Sequence, residues 1–117
     1  MPLQLNVREV GRVAVIDAAG RLTLTDGHTK LRDAIHVFAQ NGSKKFLLNL
    51  AGLDFVDSYG IGELARCYST VRRTGGEMKL VAVQPRVLSV LSMSRLTTVF
   101  QIYSAEAVAL ESFAPRA

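Results

Sequence analysis

The sequence has no tryptophan, only three prolines, and a single cysteine at Cys67. One cysteine excludes an intrachain disulfide and a cysteine-based zinc site, and it fits a reducing compartment. No apolar run approaches the roughly 20 residues needed to span a bilayer, and Met1-Pro2-Leu3-Gln4 lacks the charged and apolar regions of a secretion signal, so a cytoplasmic location is expected. Long runs of one charge are also missing. Lys and Arg total 14 against 10 Asp and Glu, and the largest basic runs are the pairs Lys44-Lys45 and Arg72-Arg73. Nucleic-acid binders gather positive charge on one face with aromatics interleaved, and aromatics are only 7% of this chain, so direct DNA or RNA binding is not expected. Repeats, low-complexity stretches and linker-like segments are absent from the sequence as well.

What is present is an ordinary globular balance. A hydrophobic fraction of 49% against 21% charged, over 117 residues, gives one domain covering residues 1–117 with enough apolar surface to build a core. Leu3, Leu5 and Val7 alternate with Gln4, Asn6 and Arg8, the period of a strand with one wet face. Gly11 separates it from Val13 to Ile16, so the two read as a hairpin ending near Gly20. The period then changes. Leu31, Ala34, Ile35 and Phe38 lie at helical spacing, with Thr25 as the expected N-cap, Asp26 in the first turn and Asn41-Gly42 as the stop. Phe46 to Leu50 reads as a central strand followed by a turn, and Ile61, Leu64, Ala65, Tyr68 and Val71 mark a second helix from Ser58 to Gly75-Gly76. Met78 to Val83 reads as a further core strand. Pro85 opens a third helix carrying Val87, Leu88 and Leu91. Val99 to Tyr103 reads as a last strand, and Ser104 as the cap of a final helix through Phe113, before a frayed tail at Pro115-Arg116-Ala117.

This order predicts an α/β fold: a mixed, mostly parallel sheet of four to five strands packed with about four helices. Right-handed crossovers bring the ends of the strands near Ala19, Leu50 and Val83 to one edge. Three segments meet there: Gly20-Arg21-Leu22-Thr23, Asp54 to Gly62, and Gln84-Pro85-Arg86. In the middle one, Asp57-Ser58 precedes a helix whose first turn holds Gly60 and Gly62, although glycine inside a helix costs about 1 kcal/mol relative to alanine. Two readings stand side by side. Asp57 or Ser58 is simply the N-cap that most helices need, or Ser58 is a modification site whose phosphate the helix N-terminus would stabilise without melting the fold.

Leu48-Asn49-Leu50, then Leu53-Asp54-Phe55-Val56-Asp57-Ser58-Tyr59-Gly60-Ile61-Gly62, and Gly75-Gly76-Glu77-Met78-Lys79-Leu80 resemble a STAS domain of the anti-sigma factor antagonist type. Gly20-Arg21-Leu22 and Val90 to Leu96 match that family in order and spacing, so the resemblance spans nearly the whole chain. It implies a substrate and switch rather than a catalyst. Ser58 is then the residue phosphorylated by an anti-sigma factor that is itself a GHKL-type serine kinase. The unphosphorylated form would bind that factor and free the sigma factor, and a serine phosphatase would reset the cycle. The partner surface expected at this edge comprises Gly20, Arg21, Thr23, Asp57, Ser58, Tyr59, Gly60, Gly62 and Arg86. Asp57 would orient Ser58 or cap the helix, and Gly60 and Gly62 would keep the surface low; topology rather than the resemblance puts Arg21 and Arg86 on the same edge, where they would contact the partner or steady the phosphate. The family carries Ser or Thr where this chain has Tyr59, and Asp where it has Thr23.

Other readings are weaker. A hydrolase with Ser58 as nucleophile and His28 as base lacks a Gly-x-Ser-x-Gly elbow and a third orienting group. His28 and His36 share a helix face without the further ligands of a metal site, and no phosphate loop is present, so neither metal nor cofactor is expected. Within the same fold, the alternative is a STAS adaptor in a multiprotein complex or a lipid-transporter assembly, working without a kinase switch. Cys67 is expected to be half-buried and without redox function, and Met93 to serve packing.

Overall fold

A computed structural model describes residues 2–25 and 27–113. The chain runs β1 (Gln4–Val10), β2 (Val13–Leu22), α1 (His28–Gln40), β3 (Lys45–Val56), α2 (Ser58–Arg73), β4 (Glu77–Val81), α3 (Pro85–Met93), a 3-10 turn at Leu96–Thr98, β5 (Ile102–Tyr103) and α4 (Glu106–Glu111). The five strands lie in the order β1-β2-β3-β4-β5. β1 is antiparallel to β2, and every other pair is parallel. The α/β architecture expected from the sequence is therefore the one found.

Alternation along the strands divides the core between the two faces of the sheet. Ala14, Ile16, Phe46, Leu48 and Leu80 point towards α1, α2 and α3, meeting Leu31, Ile35, Leu64, Val71, Val87 and Leu91 in the larger apolar cluster. Val13, Val15, Leu47 and Val81 point to the other face, where Ala109 and Phe113 cover them. That smaller face also holds a buried cation. Lys79 Nζ donates to the Ser112 carbonyl at 3.1 Å and to Ser112 Oγ at 2.8 Å, and lies 4.4 Å from the Phe113 ring centroid. Arg8 fastens β1 to both β2 and α4, with its Nε 2.7 Å from Asp17 and its Nη2 2.6 Å from Glu106.

Several boundaries differ from the sequence reading. The largest difference is β3, which does not turn after Leu50 but continues to Val56, pairing with an equally extended β2 through Gly20↔Leu53, Arg21↔Phe55 and Leu22↔Val56. Register shifts between Asp17 and Ala19 and between Gly20 and Arg21 break the two-residue period, leaving Leu53 and Val56 as the buried positions of a stretch that otherwise looks like loop. α1 begins at His28, with Gly27 rather than Thr25 at its N-cap, and Asp26 lies outside the described residues. Gly27 has φ +77°, and a Cβ there would fall 2.3 Å from that of Leu3, so only glycine fits. β4 stops at Val81, because Ala82 adopts a left-handed φ of 57° that turns the chain out of the sheet before Val83.

The last strand is two residues long. Phe100 leaves the sheet to bury itself edge-on against Tyr68, with ring centroids 5.2 Å apart. Ala105, not Ser104, occupies the N-cap of α4, and no side chain caps it. Cys67 is fully buried rather than half-buried, and Met93, expected in the packing, is 80% exposed. The expected tail at Pro115-Arg116-Ala117 lies outside the described residues.

Candidate functional site at the carboxyl edge of the sheet

The extension of β2 and β3 past the turn expected from sequence delivers Asp57 and Ser58 to the edge where the parallel strands end. Asp57 has extended backbone and forms the N-cap of α2. Its carboxylate is shared between two segments: Oδ1 accepts from the Gly60 amide at 2.8 Å, and Oδ2 from the Leu24 amide at 3.3 Å. The Asp57 amide in turn donates to the Leu22 carbonyl at 3.4 Å. One side chain thus locks the first turn of α2 to the loop that follows β2.

The capping reading of Asp57 is correct, and it frees Ser58 from that duty. Ser58 is the first helical residue and is exposed. Its neighbour Tyr59 is 55% exposed. Both stand in the first turn, where backbone amides have no intrahelical acceptor and the helix dipole favours negative charge.

The two glycines of this turn do different things. A Cβ on Gly60 would lie 2.0 Å from the Leu22 carbonyl oxygen, so this glycine lets the backbones of β2 and α2 touch. A Cβ on Gly62 would meet nothing closer than Arg66 Nη1 at 3.7 Å, which leaves Gly62 open on its outer side. Gly20 and Thr23 are buried like Gly60, and the Thr23 hydroxyl lies 3.4 Å from that of Thr25. These three residues build the edge from beneath. Arg21, Ser58, Tyr59 and Arg86 are exposed, with Gly62 partly so.

Side chains that sequence reasoning missed complete the surface. Phe55 sits across from Arg21 in the β2–β3 register, and the Arg21 guanidinium lies 4.8 Å from its ring centroid. Phe55 and Leu24 are both exposed, on the end of β3 and on the loop that Asp57 ties to the first turn of α2. The signal for them was slight: a lone leucine in a polar loop, and a phenylalanine in a stretch read as a turn. On the third segment, Arg86 Nη1 reaches the Asp54 carbonyl at 3.5 Å, and Gln84 Nε2 donates to the Ala51 carbonyl, so the start of α3 is tied to the end of β3.

Deeper along α2 lies a second polar cluster. Glu63 is 1% exposed, and its carboxylate accepts from Arg32 Nε at 2.9 Å, Arg32 Nη2 at 3.0 Å and Arg66 Nη1 at 3.3 Å. Burial opposes its ionisation, but the bonds from Arg32 and Arg66 outweigh burial and hold the carboxyl below the usual carboxylate range. The same burial pushes the Cys67 thiol up to about 12, which silences it as a nucleophile. Among the described residues, no group of three or more His, Cys, Asp or Glu converges as a metal site would require, and no helix is long and apolar enough to cross a membrane. The proposed base of the hydrolase reading, the His28 side chain, lies outside the described set.

Comparison with known proteins agrees with this architecture. The chain is 31% identical over 116 residues to the anti-sigma F factor antagonist of Paenibacillus polymyxa, covering 94% of each. It shares its fold with the crystal structure of an anti-sigma factor antagonist from Mycobacterium paratuberculosis, at a TM-score of 0.83 and 21% identity over 94% of this chain and 92% of that one. The Bacillus cell fate determinant SpoIIAA in its phosphorylated form superimposes with a TM-score of 0.75 and 21% identity, over 95% of this chain and all of that one. The model of the STAS domain matches residues 4–109, and so this chain belongs to the STAS domain family.

Proposed function

We propose that this protein is an anti-sigma factor antagonist switched by phosphorylation of Ser58. The unphosphorylated form binds a GHKL-type serine-kinase anti-sigma factor and displaces the sigma factor. The observation that carries the reading is the position of Ser58: an exposed residue at the start of α2, on a turn that Asp57 clamps through the Gly60 and Leu24 amides. The relative from Paenibacillus polymyxa, named an anti-sigma F factor antagonist, supports the same class of partner.

In the transfer step, Ser58 Oγ attacks the γ-phosphorus of ATP bound to the partner. The bond to the β,γ-bridging oxygen breaks, ADP leaves, and the hydroxyl proton passes to a base of the kinase. The new phosphate adds about two negative charges at the edge that exposes Leu24, Phe55 and Tyr59. An interface that buries this edge must then desolvate a dianion, which opposes binding, while the free amides of the first turn stabilise the phosphate within the protein. The fold is retained and the docking surface is lost. A serine phosphatase transfers the phosphoryl group to water and restores the hydroxyl. Tyr59, where the resembling family has Ser or Thr, makes this surface more apolar and selects a partner able to cover an aromatic ring.

The test is intact-mass analysis and peptide mapping after incubation with ATP, magnesium and each serine-kinase anti-sigma factor encoded alongside the protein. One phosphate on Ser58, absent in Ser58→Ala, is the expected result. A stable complex that forms with no phosphate transfer under any of these conditions would replace the switch with an adaptor role.

A further inference from the structure

The seam between α1 and α2 opens outward into a cleft of about 620 Å³, whose polar lining consists of Arg32, His36, Arg66, Ser69, Thr70 and Arg73. No lining residue carries a carboxylate. The buried Glu63 lies behind it and uses both oxygens on Arg32 and Arg66, which fixes the two guanidiniums side by side while leaving them 53% and 67% exposed. Arg73 falls two turns further along the same side of α2 as Arg66, about 10 Å away by helical rise. His36 follows Arg32 by one turn on α1. Arg32 of α1 therefore faces Arg66 and Arg73 of α2 across an open channel, with Ile35 and Cys67 between them.

We infer that this channel is a docking site for an acidic segment of a partner protein, separate from the Ser58 edge. Three arginines in the channel against two carboxylates, Glu63 behind it and Asp33 beside Arg32, leave a local positive excess of one, and an acidic chain is its electrostatic complement. Glu63 already fills the Arg32 fork but holds Arg66 through Nη1 alone, so the remaining N–H donors of Arg66, with those of Arg73, are the ones that meet a carboxylate entering the channel. Arg66 and Arg73 stand about two helical turns apart along the channel, which suits carboxylates distributed along a peptide better than the compact charge of one phosphate. No Phe, Tyr or Trp lines the channel to stack on a base, and the N-terminus of α2, with its free amides, lies at Ser58 rather than here.

The test uses the full chain, isotopically labelled, titrated at low salt with N-acetylated, C-amidated deca-glutamate. Amide shifts confined to residues 32–36 and 65–73 are expected, fading as salt is raised. Arg73→Glu, on the exposed end of α2 and outside the Glu63 cluster, is expected to weaken binding about fivefold. Arg12→Glu makes the same change in net charge at the distant β1–β2 turn and is expected to leave affinity within about twofold. Ser58→Ala and Ser58→Glu are expected to bind the peptide as the parent does, which separates this site from the phosphorylation reading. Equal weakening by Arg12→Glu would reduce the effect to net charge and overturn the assignment. Shifts at 32–36 and 65–73 produced by inorganic phosphate or ATP but not by the peptide would overturn it in favour of a phosphate ligand. An absence of peptide-induced shifts in this channel would overturn it outright.

Discussion

At the carboxyl edge of the sheet, the Asp57 carboxylate accepts from two backbone amides, those of Gly60 and Leu24, whereas in the seam between α1 and α2 the Glu63 carboxylate accepts from two guanidiniums. The first arrangement fixes main chain and leaves the neighbouring side chain, Ser58, exposed. The second fixes side chains and is itself shielded from solvent, with Glu63 at 1% exposure. The same helix thus presents a hydroxyl on a rigid turn at one end, and along its flank a pair of arginines held by a buried acid. Backbone clamping suits a group that, on the proposed function, changes its charge without disturbing the fold. Side-chain clamping suits groups that must keep a constant charge in a constant place.

The sharpest way to break this contrast lies within the first turn of α2. Gly60→Ala drives a methyl group into the Leu22 carbonyl, and a loss of about 3 kcal/mol or more is expected in urea unfolding. Gly62→Ala, with open space on its outer side, is expected to leave stability unchanged or raise it by up to about 1 kcal/mol. Equal effects from the two would mean that the edge is not built on the β2–α2 backbone contact.

Next in size is Glu63→Gln, which keeps the shape but removes the charge that holds Arg32 and Arg66, at an expected cost of about 2 kcal/mol at neutral pH. The pH dependence follows from the direction of the shift. Because the folded Glu63 carboxyl titrates below its ordinary value of 4.5, its contribution is present above that value and is lost as pH falls through the lower folded value. Asp17 and Glu106, both lowered first by the hydrogen bond from Arg8, add to the same acid limb. Thermal melts from pH 7 to pH 3 should show the parent losing stability below about pH 4.5, with a shallower loss in Glu63→Gln.

How much of this was legible in the sequence differs between the two regions. The apolar stripes of α1, α2 and α3 name their own core faces, since Leu31, Ile35, Leu64, Val71, Val87 and Leu91 are all buried where helical spacing puts them. The Asp57-Ser58 turn is legible as a helix start because capping is local chemistry. The continuation of β3 is not, because Ala51 and Gly52 interrupt the apolar run and the register shifts erase the period-two signal. Arg32 and Glu63 are separated by 31 residues, and Arg8 and Glu106 by 98, so neither pair leaves a trace in local spacing. Gly60 looked like a site glycine because its true neighbour, the Leu22 carbonyl, comes from another strand.

Two smaller effects refine the comparison. Asp57→Ala removes the cap of α2 and the bond to the Leu24 amide, with an expected loss of about 1 kcal/mol and faster hydrogen exchange at the Gly60 and Leu24 amides. Slow exchange retained at both would show that the clamp is redundant. The smallest expected effect is at Cys67, buried on the same helix with its thiol pushed up to about 12. Iodoacetamide at pH 8 should leave it unmodified in the folded protein and alkylate it after urea unfolding; alkylation without unfolding would mean that the α1–α2 seam opens readily.

Under the proposed function, charge on Ser58, not a change of fold, controls partner binding. Calorimetric titration of the serine-kinase anti-sigma factor with the unphosphorylated protein and with the Ser58-phosphorylated protein, each checked for an unchanged unfolding midpoint, tests it most directly. An affinity at least about a hundredfold lower is expected for the phosphorylated form at equal stability. Equal affinities for the two forms would contradict it.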